Sequence, residues 1–200
     1  SGVNVAVTAS NKFASDVGIN ILKDGGNAVD AAIAVGFALA VVHPGAGNIG
    51  GGGFMVIRLA DGTKTTIDFR ETAPQKASRD MFLDENGDII EGKSWSTSWA
   101  SGVPGSVAGF GLAHEEFGTL KWSQLIDSSI QLARDGYSLN YNDANSFNRY
   151  NDFLTKDSVT RTIFVRDEEF KTGDILVQRN LASTLERISR AGWEEFYTGK

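Results

Sequence analysis

The chain has 200 residues, 41% hydrophobic and 22% charged. That is enough for one domain, or a large piece of one, burying roughly 70% of the surface an unfolded chain exposes, and it excludes a largely disordered polypeptide. A net charge of −6 excludes a general affinity for nucleic acid, which needs a basic stripe. The absence of cysteine excludes disulfides, a thiolate metal site and a cysteine nucleophile.

Ser1-Gly2 leads directly into a strand-like alternation, Val3, Val5 and Val7, with no signal-peptide pattern. Ser10 is placed to cap a helix whose apolar face is Phe13, Ala14, Val17, Ile21 and Leu22, with Gly25 as its stop. Asn27 then caps a second helix running to about Val42, with Asp30 in its first turn, where free amides and the helix dipole favour a carboxylate. Beyond Asp30 this helix is apolar all round, which predicts burial between layers. Its longest apolar stretch, from Ala31 to Val42, is too short for a membrane span.

His43-Pro44 ends that helix, and a glycine-dense loop follows from Gly45 to Gly53. Phe54 to Leu59 and Thr63 to Phe69 read as a β-hairpin about an Asp61-Gly62 turn. The alternation puts Thr65, Ile67 and Phe69 on one face and Lys64, Thr66, Asp68 and Arg70 on the other. Ser78 to Phe82 reads as a short helix, Asn86-Gly87 as a turn, and Glu91 to Ser101 as a loop carrying Trp95 and Trp99. Gly102-Val103-Pro104-Gly105 leads into a helix with Val107, Phe110, His114 and Phe117 at helical spacing, stopped by Gly118. Leu125, Ile126, Ile130 and Ala133 mark another, ending at Gly136, and Asn140 to Leu154 a third. Asn180 is read as the cap of a last helix through Leu185 and Ile188 to Gly192. This order is not a regular βαβ alternation and predicts an α+β fold, an antiparallel sheet with buried helices, with no internal domain boundary across residues 1–200.

Gly45-Ala46-Gly47-Asn48-Ile49-Gly50 satisfies the spacing G-x-G-x-x-G. A dinucleotide site needs a strand before that motif and a helix after it; here the predicted order is the reverse. The glycines of the Gly47–Gly53 stretch then serve either a tight crossing of layers or a loop whose amides line a pocket. Arg70, beside Glu71 and two residues after Asp68, is either an ion-pair partner of those acids or a fork that grips a substrate carboxylate. Ser1 could be an N-terminal nucleophile with its own amine as base, but nothing else in the chain supports that. His43 and His114 lack metal-ligand spacing, and a structural role is expected for each. Thr65-Thr66 is ordinary strand composition.

Gly25 through Ala32, Gly47 through Met55 and Asp68-Phe69-Arg70-Glu71, with His43-Pro44, Arg79-Asp80-Met81-Phe82, Gly102-Val103-Pro104-Gly105 and Leu132-Ala133-Arg134-Asp135-Gly136, stand in one order along the chain. That ordered set resembles the large subunit of the γ-glutamyltranspeptidase family, over nearly the whole length. The resemblance implies an N-terminal-nucleophile hydrolase of four αββα layers, here in part. It implies that Arg70 binds the α-carboxylate of a γ-glutamyl substrate, with no metal and no cofactor. It implies glutathione and other γ-glutamyl compounds as donors, amino acids or dipeptides as acceptors, and a periplasmic or secreted location. The family's nucleophile is a threonine that becomes the first residue of a small subunit cut from the same precursor. Thr65-Thr66 is followed by Ile67 rather than histidine and cannot stand in, so no catalytic residue is expected in this chain. A related acylase acting on glutaryl side chains or poly-γ-glutamate, and a non-catalytic module that captures acidic amino acids, are the competing readings.

Overall fold

The computed structural model describes residues 5–199. Two compact units divide them: residues up to Asn48 together with those from Gly111 onward, and Ile49–Phe110.

The first unit is built around a buried helix. Helix α1 spans Lys12–Lys23 and α2 spans Ala28–Val42. The helix α3, Ser106–Phe117, enters this unit at Gly111 and is followed by α4, Trp122–Asp135. The helix α2 packs against α1 and α4. Its Ile33, Ala34, Phe37, Ala38 and Val41 are fully buried, as the all-round apolar sequence predicts. Burial of each large member contributes about 1.5–3 kcal/mol.

Both ends of α2 expose backbone groups that the helix itself cannot pair, and side chains from distant elements meet them. At the N-terminus, Asn27 accepts from the amides of Val29 and Asp30, and Asp30 accepts from the Asn27 amide. The Asp30 carboxylate is fully buried. It also accepts from the Thr119 amide at 3.1 Å and the Thr119 hydroxyl at 2.5 Å, so one charge joins α2 to the loop after α3. At the other end, the Asn11 amide group donates to the Val42 carbonyl and that of Gln178 to Val41, each at 2.8 Å.

The remaining elements are β3 (Tyr137–Ser138), α5 (Tyr141–Arg149), α6 (Asn151–Leu154), α7 (Ser158–Phe164), β4 (Ile175–Leu176), α8 (Arg179–Ala191) and α9 (Glu195–Thr198). The strands β3 and β4 pair antiparallel, and α8 packs on α4. The second unit contains the hairpin of β1 (Phe54–Arg58) and β2 (Lys64–Asp68). Its register pairs Phe54 with Asp68 and Ile57 with Thr65. A single 3₁₀ turn, Ser98–Ala100, interrupts the long exposed stretch that follows. Mixed helix and antiparallel sheet make the α+β class expected from the sequence.

Several details differ from the sequence reading. No strand forms over residues 5–8, because no neighbouring strand pairs with them among the described residues; Val3 lies outside those residues. The cap of α1 is Asn11, not Ser10, since only Asn11 accepts from the Phe13 amide. The cap of α8 is Gln178 rather than Asn180, its side chain being committed to Val41. Ser78 to Phe82 makes turns rather than a helix, because so short an exposed segment cannot offset the cost of nucleation. The predicted Asn140–Leu154 helix breaks at Tyr150.

Replacing Asp30 by alanine would remove the acceptor shared by the Asn27 amide and by the amide and hydroxyl of Thr119. In the natural full-length protein, Asp30→Ala is expected to lower stability by about 3 kcal/mol, measured by urea denaturation, with Asp30→Asn intermediate.

Candidate functional site

The sequence places one candidate substrate contact in this chain, Arg70, and the local structure explains its position. Side chains alternate faces along a strand, so Arg70 falls on the side of Asp68 and of its cross-strand partner Phe54. Main-chain bonds between Phe69 and Gly53, 3.0 and 3.3 Å, extend the ladder one step beyond β2. The chain then turns: the Asp68 carboxylate accepts from the Arg70 amide at 3.0 Å, and Thr72 pairs with Val103 through two main-chain bonds.

The Arg70 guanidinium lies 5.9 Å from the centre of the Phe54 ring. Its Nε meets the Glu71 carboxylate at 3.3 Å, with the arginine side chain still 60% exposed. The ion pair expected from the sequence forms, and the guanidinium is exposed enough to meet a ligand. A surface ion pair contributes about 0–1 kcal/mol, whereas a bidentate carboxylate adds two aligned, charge-assisted bonds. A ligand carboxylate can displace Glu71 at small cost.

The backbone around Arg70 is packed without room for side chains. Gly51 accepts at its carbonyl from the amides of Gly105 and Ser106, at 2.8 and 2.9 Å. That joins the glycine loop to the start of α3, and both stretches lie against the main chain of Phe69–Glu71. A Cβ on Gly52 would lie 2.5 Å from the Phe69 carbonyl oxygen and 2.9 Å from the Arg70 Cα. One on Gly105 would lie 2.7 Å from the Phe69 carbonyl carbon and 3.1 Å from the Arg70 oxygen. Gly109, one turn into α3, admits the Phe69 ring, which also packs edge-on to Phe110. Sequence reasoning saw the glycines but did not tie Gly52, Gly105 or Phe54 to Arg70; the signal available was a glycine at each end of the segments that flank the motif.

The other candidates fall elsewhere. Helix α2 precedes the Gly45–Gly50 motif and β1 follows it, the opposite of the dinucleotide arrangement. His43 is the C-cap of α2. His114 Nε2 lies 2.8 Å from the Leu120 carbonyl, its ring against Trp122, and both histidines hold structural positions. Thr65 and Thr66 lie inside β2, and Ser1 is outside the described residues. No group of three or more His, Asp or Glu side chains suited to a metal gathers among the described residues. In the same residues, no helix is long and apolar enough to cross a membrane. Away from Arg70, burial raises the affinity of the Asp143 carboxyl for its proton, with His43 opposing it.

The sequence profile of the family described as gamma-glutamyltranspeptidase matches residues 14–200. The chain belongs to the γ-glutamyltranspeptidase family. An Escherichia coli (strain K12) protein named glutathione hydrolase proenzyme is 50% identical over 195 residues, which are 96% of this chain and 34% of that protein. The crystal structure of Helicobacter pylori gamma-glutamyltranspeptidase superposes with a TM-score of 0.96 at 44% identity, covering 100% of this chain and 58% of the other. A cephalosporin acylase from Bacillus halodurans reaches a TM-score of 0.79 at 22% identity, covering 99% of this chain and 40% of that one. That last likeness is one of fold alone, so the acylase reading gains nothing beyond a shared scaffold. The family's fold is the N-terminal-nucleophile hydrolase fold expected from the sequence. The chain spans about a third of the length of the curated relatives it matches.

Proposed function

We propose that the protein carrying this chain is a γ-glutamyltransferase and glutathione hydrolase. It cleaves the γ-glutamyl amide bond of glutathione and similar donors and passes the γ-glutamyl group to water, an amino acid or a short peptide. In this reading the chain is part of a large subunit, and both of its compact units belong to one domain. A small subunit from the same precursor supplies the threonine nucleophile, and the enzyme works in the periplasm or outside the cell. The observation that supports the reading is the exposed Arg70 guanidinium, standing on the Phe54 side of a hairpin with a weak ion pair to Glu71 and the Phe54 ring 5.9 Å away.

The chemistry proceeds in two stages. The threonine hydroxyl attacks the γ-amide carbonyl carbon, its proton passes to the departing amine, and a γ-glutamyl ester of the enzyme forms as the C–N bond breaks. Water or an acceptor amine then attacks the ester and returns the hydroxyl. Arg70 takes no part in bond making. By fixing the α-carboxylate it sets the distance from the glutamyl end to the γ-carbonyl, and so presents that carbon to the nucleophile.

Two measurements test this. Arg70→Ala removes two charge-assisted bonds, costing roughly 2–5 kcal/mol, so kcat/KM for a γ-glutamyl anilide should fall about 30-fold or more. The decarboxylated anilide should be little affected, and Arg70→Lys, which keeps charge but not the planar fork, should recover part of the loss. A wild-type preference for the carboxylate that survives Arg70→Ala would contradict the assignment. N-terminal sequencing of the mature protein should find a second chain beginning with threonine; an active protein without one would place the nucleophile elsewhere.

A further inference from the structure

Arg70 could in principle owe its position to its own side-chain contacts, but those contacts are weak. The Glu71 pair is solvent-exposed, and the Phe54 ring at 5.9 Å adds at most a modest cation–π attraction at such a site. What fixes the residue is its main chain. In the glycine loop, the Arg70 Cα and the Glu71 amide nitrogen stand 2.9 and 2.8 Å from where a Gly52 Cβ would be, beside the Phe69 carbonyl oxygen. Before α3, the same Phe69 carbonyl group and the Arg70 oxygen crowd the equivalent point on Gly105. Gly102 closes the same flank further along, where a Cβ would meet that of Glu71 at 2.9 Å. Real Cβ atoms do not approach main-chain atoms this closely, so a methyl at Gly52 or Gly105 must push the Phe69–Glu71 strand aside. The flanks cannot simply retreat. The Gly51 carbonyl is bonded to both Gly105 and Ser106, and Val103 to Thr72.

We propose that Gly52 and Gly105 are positioning residues for Arg70, two backbone flanks that together set where the guanidinium meets the substrate carboxylate. The proposal rests on the carboxylate reading of Arg70 given above. Its consequence is that preference for an α-carboxylate is a property of three packed main-chain segments, and substitutions that keep the arginine side chain but shift its backbone lower it.

The geometry grades the glycines of a single loop. A Cβ on Gly50 meets nothing within 4 Å; on Gly53 it meets only the Phe69 ring, at 3.0 Å; on Gly52 it meets backbone. The ratio of kcat/KM for a γ-glutamyl anilide to that for its decarboxylated analogue should follow this order in the natural full-length protein. Gly50→Ala keeps the wild-type ratio and Gly53→Ala stays within a few-fold of it. Gly52→Ala and Gly105→Ala lower it by about 10- to 100-fold, the cost of misplacing a contact by roughly an ångström. The loss should appear mainly as a raised KM for the carboxylate-bearing donor, with the decarboxylated donor little changed.

Arg70→Ala measured in parallel separates the two ideas. If Arg70→Ala keeps the ratio, the carboxylate reading itself fails. If Arg70→Ala collapses the ratio while folded Gly52→Ala and Gly105→Ala keep it, the positioning proposal alone is overturned. Equal losses for both donors would overturn it too, because a general structural defect does not discriminate between them. Should Gly105→Ala not fold, Gly52→Ala carries the test; failure of both to fold would make the glycines structural first and also overturn the proposal.

Discussion

Two glycine-bearing stretches lie so close to the main chain of Phe69–Glu71 that neither Gly52 nor Gly105 has space for a methyl group, and the turn that carries Arg70 is built on this steric constraint. Close approach of three main chains is possible only where Cβ is absent. It becomes fixed because the Gly51 carbonyl takes two amides from the start of α3. The β1–β2 register then decides which face Arg70 occupies, and the Asp68 carboxylate on the Arg70 amide decides where the chain leaves the ladder. Each of these is a backbone or near-backbone interaction. The Arg70 side chain is left lightly held, which suits the proposed exchange of the Glu71 carboxylate for that of a substrate.

A different constraint organises the first unit. Helix α2 is apolar and largely buried, and burial takes terminal amides and carbonyls out of water. The single buried carboxylate of Asp30 meets donors at one end, and the Asn11 and Gln178 amides meet the last carbonyls at the other. Asn11, Asp30 and Gln178 are tolerated in this core because each is committed to a helix terminus. Ser129 and Tyr137 are the contrast, with buried hydroxyls that find no partner among the described residues. Burial holds the Tyr137 phenol in its neutral form, its affinity for the proton raised well above that of an exposed tyrosine.

Much of this was legible in the sequence where the signal is local. Asn27 with Asp30 three residues on, the glycines at positive φ after α1, α4 and α8, and the period-two pattern of β2 each have a short-range physical cause. The errors came where a side chain had a long-range obligation. Ser10 and Asn180 are reasonable caps by composition, but Asn11 and Gln178 reach across to α2, and no sequence window contains both partners. The pattern at residues 5–8 is strand-like without making a strand, since pairing depends on a neighbour rather than on the segment. At the candidate site, Arg70 was singled out by its motif. Gly52 and Gly105 were visible only as glycines, because the main chain they approach, at Arg70, lies 18 and 35 residues away.

The most direct test is a structure of the natural full-length protein with L-glutamate bound. The account predicts that the Arg70 guanidinium has left Glu71 and holds both oxygens of the α-carboxylate in parallel bonds of about 2.7–2.9 Å, with the Phe69–Glu71 backbone still packed against Gly52 and Gly105. Glutamate bound with its α-carboxylate on another residue, and Arg70 still paired with Glu71, would contradict it.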